Sequence, residues 1–232
     1  MKQYFSRFWL LYLAVASLFL LLLSIGNHAA TVLAPAMVDL RTHTIIIDAG
    51  HGGEDGGATA CTGQLESNIN LEIALRLDMI FHFLGYETKM VRTTDISVYT
   101  EGNTLAAKKA SDLRQRVKLV NGTANGVLIS IHQNTFSDSR YSGAQVFFAP
   151  TEGSRELAEK MQRQLAQLST GNNRRAKSAE NVYLMQHIQS PGILVECGFI
   201  SNYEEAVRLN LPQYQKMLCA SIAASVSDYL NT

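Results

Sequence analysis

Short runs of apolar, often β-branched residues alternate with amphipathic stretches of about 10 to 20 residues along most of this 232-residue chain. That alternation constrains the fold more than any other feature, because it is the pattern of strands linked by helices over a largely parallel sheet. "TIIID" (44–48), "YETKMVR" (86–92), "GVLISIH" (126–132), "AQVFFAP" (144–150), "ENVYLMQ" (180–186) and "GILVECGFI" (192–200) read as strands. Between them, "ESNINLEIALRLDMIFHFLG" carries Ile69, Ile73, Leu77, Phe81 and Leu84 at helical spacing, with Ser67 or Asn68 as N-cap and Gly85 as the stop. "LAAKKASDLRQRVKLVNG", "SRELAEKMQRQLAQLS" and a stretch from about Leu211 to Leu230 read as further helices. The expected class is α/β: a single layered αβα domain with a largely parallel mixed sheet.

One helix is expected ahead of that domain. Residues 1–7 are polar and carry Lys2 and Arg7, whereas Phe8 to Ile25 contains no charge. The run exceeds the roughly 7 to 15 apolar residues of a signal-peptide core and matches the about 17 to 25 that cross a bilayer. No Lys or Arg comes after it until Arg41, so the positive-inside rule leaves residues 1–7 in the cytoplasm and exports the rest of the chain. Ala34-Pro35-Ala36 has the form of a cleavage site but sits far from the apolar run, which favours a retained anchor over a cleaved signal. The expected layout is a cytoplasmic terminus (1–7), a membrane anchor or signal sequence (8–26), a linker (27–42) and the α/β domain (43–232).

Net charge is zero, so there is no basic footprint for nucleic acid. Cys61, Cys197 and Cys219 are odd in number and scattered. They form neither a disulfide framework nor a C-x-x-C zinc motif, and Cys197 is expected to fill space.

In open α/β sheets, functional groups gather beyond the carboxyl ends of the strands. "IIIDAGHGGEDGG" (45–57) places His51 in a glycine-rich loop directly after the first strand. The loop has neither the spacing nor the lysine of a phosphate cradle. The same rule selects His132 at the end of "VLISIH" and Glu196 at the end of "GILVE". Glu66 stands at the far end of the His51 loop, just before a helix. Two imidazoles and a carboxylate with one position left open form a known type of catalytic zinc site. Glu54 is a rival to Glu66, since H-x-x-E is also a short chelating spacing, and chemistry alone does not separate them. Asp48 and Asp55 are weaker rivals; Asp48 is better suited to orient the loop, or His51, through hydrogen bonds behind the ligands.

"IIIDAGHGG", "LESNINLEIALRL", "MVRTTD", "DLRQRVKLVN", "LISIHQN" and "ILVECGFISN" occur in the order shown by the zinc-dependent N-acetylmuramoyl-L-alanine amidases of the amidase-3 type, which the chain resembles over residues 44 to 230. The resemblance implies that His51, Glu66 and His132 bind Zn²⁺ and that Glu196 is catalytic, and it decides for Glu66 over Glu54. It implies hydrolysis of the amide between N-acetylmuramic acid and L-alanine in peptidoglycan, with Glu196 as general base and acid. A wall-binding module without catalysis and a zinc carboxypeptidase acting on the stem peptide are the alternatives. Ala49 stands where the family commonly has Pro, and "ISVYTEGNTLAAKKAS" (96–111) is longer than the usual connection. That stretch and the single amino-terminal anchor resemble the subgroup that acts on spore cortex in germination. There, a polysaccharide deacetylase working downstream and an accessory lipoprotein are the implied partners, and the enzyme works outside the cytoplasm.

Overall fold

The structure, a computed structural model, describes residues 42–169 and 171–231 together with Ser17. The expected cytoplasmic terminus, the anchor and the linker therefore lie outside the described residues, apart from Ser17 and Thr42. Among the described residues no helix is long and apolar enough to cross a membrane.

The elements run β1 (Thr44–Ala49), α1 (Glu66–Phe83), β2 (Glu87–Met90), α2 (Leu105–Asn121), β3 (Gly126–Asn134), β4 (Gln145–Phe148), α3 (Ser154–Ala166), β5 (Lys177–Ser178), α4 (Tyr183–His187), β6 (Gly192–Phe199), α5 (Tyr203–Leu209) and α6 (Pro212–Leu230). They build a six-stranded sheet in the order β2-β1-β3-β6-β4-β5. β1 pairs in parallel with β2 and β3, and β3 with β6, whereas β4 is antiparallel to β6 and carries β5 at the edge. The sheet is mixed and mostly parallel, as the alternating pattern requires.

Successive strand residues point to opposite faces, so a strand covered on both sides must be apolar throughout. Ile45 and Ile47 join Ile73, Leu77 and Phe81 of α1 and Leu218 and Ile222 of α6 in one core. Ile46, Leu128 and Leu194 face the other way and meet Val120 of α2 and Leu184 and Met185 of α4. Each such side chain, fully buried, contributes roughly 1.5–3 kcal/mol. Cys197 and Cys219 belong to the first core, and all of the cysteines are free; Cys197 fills space on the face opposite its neighbour Glu196.

Gly85 ends α1 as expected. It has φ +87°, its N–H donates to His82 O, and the Tyr86 N–H donates to Phe81 O. The pair of bonds is a Schellman closure, and the Phe81 and Tyr86 rings pack edge to face at 5.6 Å across it.

The start of α1 differs from expectation. Leu65, not Ser67 or Asn68, is the N-cap, and it offers no side-chain bond. The loop caps the helix instead: Glu66 N donates to Ala58 O and Ser67 N to Gly56 O. This frees the Glu66 side chain for other work. "ENVYLMQ" differs too, since its core forms α4 rather than a strand. Leu184, Met185 and Ile188 are buried at i, i+1 and i+4, a helical stripe over one turn and too short to read as periodicity. β5 and α5 are short additions that the sequence pattern does not announce.

Candidate metal centre

Beyond Ala49 the backbone passes so close to the His132 ring that a Cβ has no room unless the ring or the loop shifts. A Cβ on Gly50 would lie 2.2 Å from His132 Nε2. His51 comes next with φ +60°, a left-handed conformation that costs a non-glycine residue roughly 1–2 kcal/mol and persists only where its surroundings impose it. Two buried arginines do so. Arg116 donates through Nη1 to Ala49 O at 3.0 Å and through Nη2 to His51 O at 2.8 Å. Arg92 donates through Nε to Ala49 O, and through Nη2 to Gly50 O and Ser67 O. Neither arginine stands out in the sequence, where a charged side chain near a strand or within a helix reads as surface.

This loop brings His51 to Glu66 and His132. His51 Nε2 lies 3.3 Å from Glu66 Oε2, and His132 Nδ1 lies 3.0 Å from Glu66 Oε1. One ligand atom from each of the three falls within 4.8 Å of the others, so the group could hold a metal ion. Glu66 is 4% exposed and its oxygens are further fixed by the N–H groups of Ala58 and Gln133 and by Asn70 Nδ2. Burial alone would raise its pKa, but hydrogen bonds and charge from His132 and His51 outweigh it and hold the carboxylate well below its ordinary range. An anionic oxygen pair between two imidazoles suits zinc, which takes mixed nitrogen and oxygen donors.

The rivals fall elsewhere. Glu54 is turned outward to Lys108 Nζ at 2.6 Å. Asp55 stands behind His51, with Oδ2 2.9 Å from His51 Nδ1 and Oδ1 2.8 Å from Lys109 Nζ. It, rather than Asp48, orients the imidazole. Asp48 acts on the loop indirectly: it is ion-paired with Arg116 and accepts from Ser130 Oγ at 2.6 Å.

Glu196 pairs with His132 in the β3–β6 ladder, and both line one cleft of about 470 Å³. Glu196 Oε2 is buried without a hydrogen-bond partner among the described residues. Burial pushes its pKa up to about 7, the charge of Glu66 adding to the rise and that of His132 opposing it. An unsatisfied buried carboxylate oxygen costs free energy; placed beside three converging donors, it fits a site built to receive further chemistry. Tyr99, Lys108 and Asn181 to Leu184 also line the cleft.

Residues 45–228 match the family model described as N-acetylmuramoyl-L-alanine amidase, Amidase_3. The chain is 37% identical over 198 residues to the germination-specific N-acetylmuramoyl-L-alanine amidase of Bacillus subtilis (strain 168), covering 84% of this chain and 83% of that protein. Its fold is similar to that of the CwlD amidase from Clostridioides difficile, solved in complex with the GerS lipoprotein. The TM-score is 0.78 at 34% identity, over 82% of this chain and 98% of that one. An N-acetylmuramoyl-L-alanine amidase from Clostridium difficile 630 gives a TM-score of 0.72 at 27% identity, over 83% and 98% of the two chains. With the family model spanning nearly the whole sheet and its helices, the chain belongs to the N-acetylmuramoyl-L-alanine amidase family.

Proposed function

We propose that this chain hydrolyses the amide between the lactyl group of N-acetylmuramic acid and L-alanine in peptidoglycan, with His51, Glu66 and His132 holding Zn²⁺ and Glu196 moving the proton. A zinc ion held there polarises an amide carbonyl and acidifies water. The chain's own residues supply the rest. Glu196 takes the proton of the attacking water and returns it to the departing alanine nitrogen, a task for which a pKa of about 7 is suited. Asp55 keeps Nδ1 of His51 engaged and its Nε2 turned to the centre. Arg92 and Arg116 hold the loop carbonyls so that His51 keeps its left-handed backbone.

The observation that carries this reading is the Glu196 oxygen, buried with no hydrogen-bond partner among the described residues, in the cleft lined by His51 and His132 of the His51, Glu66 and His132 group. Purified peptidoglycan incubated with the zinc-loaded protein should yield new L-alanine amino termini. A wall-binding module would sediment with the wall and release none, and a carboxypeptidase would release single amino acids and leave muramic acid substituted.

The likeness to a germination-specific amidase and to an amidase solved with a lipoprotein supports a finer reading. In it, the substrate is spore cortex, the enzyme acts outside the cytoplasm behind an amino-terminal anchor, a lipoprotein assists, and a polysaccharide deacetylase takes the product. Mass spectrometry of cortex muropeptides from a strain lacking this protein tests it: muramic acid should keep its peptides and muramic δ-lactam should disappear.

A further inference from the structure

The stretch that folds as α4 instead of a strand puts an aromatic ring on the wall of the catalytic cleft. Tyr183 lines the cleft with His51, His132 and Glu196 and is 40% exposed. Its ring is stacked on that of His187, with centroids 3.9 Å apart and planes 21° from parallel. The support is fixed in turn. Asn121, the last residue of α2, donates to His187 O at 3.0 Å and accepts from Gln189 N at 2.9 Å, while His187 Nδ1 lies 2.8 Å from Tyr183 O. Tyr99, also in the lining, is engaged within the protein: its hydroxyl reaches Glu54 at 3.4 Å and the Lys108 ammonium lies 5.0 Å from its ring centroid. Of the two tyrosines in the lining, Tyr183 is the one whose ring is stacked on another ring.

We propose that Tyr183, buttressed by His187, is a stacking platform for a pyranose ring of the glycan strand, and so a specificity-determining residue that makes the saccharide part of the recognised substrate. The proposal rests on the amidase reading, which puts the sugar within a few bonds of the reacting carbonyl. A pyranose presents axial C–H bonds on its ring face and hydroxyls around its rim. The C–H face is apolar and weakly positive, which complements the negative face of a tyrosine ring, while the rim hydroxyls stay in water. A stem peptide offers amides and carboxylates instead and gains little from such a surface. The ring is also stacked on His187 before binding, so less side-chain freedom is lost when a ligand covers it.

The test uses the full-length, zinc-loaded protein and its Tyr183→Ala, Tyr183→Phe and His187→Ala variants. Affinity is measured for a peptide-free disaccharide ending in N-acetylmuramic acid. KM and kcat are measured on the same disaccharide bearing the stem peptide and on a lactoyl-peptide without sugar. In Tyr183→Ala, disaccharide affinity should fall and KM for the glycan substrate rise, each by about tenfold, equivalent to ~1.4 kcal/mol. Zinc content and kcat should be unchanged, and so should every constant for the lactoyl-peptide. Tyr183→Phe should match the wild type, and His187→Ala should fall between them. Unchanged disaccharide affinity in Tyr183→Ala overturns the platform, as does an equal loss on both substrates, which would make the ring a peptide contact. Disaccharide binding that depends on Tyr183, in a wild-type protein that cleaves neither substrate, contradicts the amidase reading alone.

Discussion

His132 and Glu196 stand opposite each other on the adjacent parallel strands β3 and β6, and only one of them is held. His132 Nδ1 is 3.0 Å from Glu66 Oε1, whereas Glu196 Oε2 is buried without a hydrogen-bond partner among the described residues. One strand register thus delivers two different kinds of group to one cleft: a fixed donor suited to a metal and an unsatisfied carboxylate suited to a proton.

The fixed donors should govern metal content. Replacing His51, Glu66 or His132 by Ala would remove one of the three proposed ligands and should strip most zinc from the purified protein, measured by elemental analysis. Glu54→Ala should keep near-normal zinc, because that carboxylate is turned to Lys108. Asp55→Ala should keep the site but weaken it, since losing the hydrogen-bond partner of a metal-bound histidine typically costs about 10- to 100-fold in affinity. An empty site in Glu54→Ala beside a full one in Glu66→Ala would reverse the assignment.

Gly50→Ala tests the close approach of the loop to β3. Its new methyl would meet the His132 ring at 2.2 Å, so either the ring or the loop must move. Overpacking of this kind costs about 1–3 kcal/mol, and the displaced imidazole should lower zinc affinity as well. Wild-type stability and wild-type zinc binding together in Gly50→Ala would show that the loop has slack the structure does not give it.

The buried pair of Asp48 and Arg116 should make stability depend on acid. Burial alone would raise Asp48, but the Arg116 guanidinium and the Ser130 hydroxyl outweigh it and hold the carboxyl below its ordinary 3.8. A carboxylate with a lowered folded-state pKa stabilises fully above its unfolded value and loses that contribution as pH falls through the folded value. Asp48→Asn should therefore destabilise at pH 7, by less than the roughly 3–5 kcal/mol of an orphaned buried charge, because Asp112 still pairs with Arg116. The gap to wild type should narrow below pH 3.8. Denaturant unfolding of both proteins at pH 7 and in acid measures this, and a constant gap would place the source of stability elsewhere.

Much of the fold and the site is legible in the chain. β1, β3 and β6 announce themselves because strands buried on both faces must be apolar throughout, and strand-end placement alone selects His51, His132 and Glu196. Choosing Glu66 over Glu54 is beyond local chemistry: both are carboxylates near His51, and what separates them is a backbone cap by Gly56 and Ala58 that turns one inward. The work of Arg92 and Arg116 is invisible for a related reason. Each holds carbonyls of the His51 loop, more than 40 residues away in sequence for Arg92 and more than 60 for Arg116, a contact that no neighbouring residue announces. α4 reads as a strand because Val182 and Tyr183 favour strands locally, while the packing of Leu184 and Met185 against the sheet decides for a helix.

Glu196→Gln tests the central claim most directly. Glutamine keeps the size and the hydrogen-bonding capacity but cannot accept a proton, and the neutral side chain suits a buried strand end. The variant should fold, bind one zinc per chain and release L-alanine amino termini from peptidoglycan about 10² to 10⁴ times more slowly than wild type. A folded Glu196→Gln protein with full zinc and near wild-type turnover would contradict the account, because the proton would then be moved by some other group.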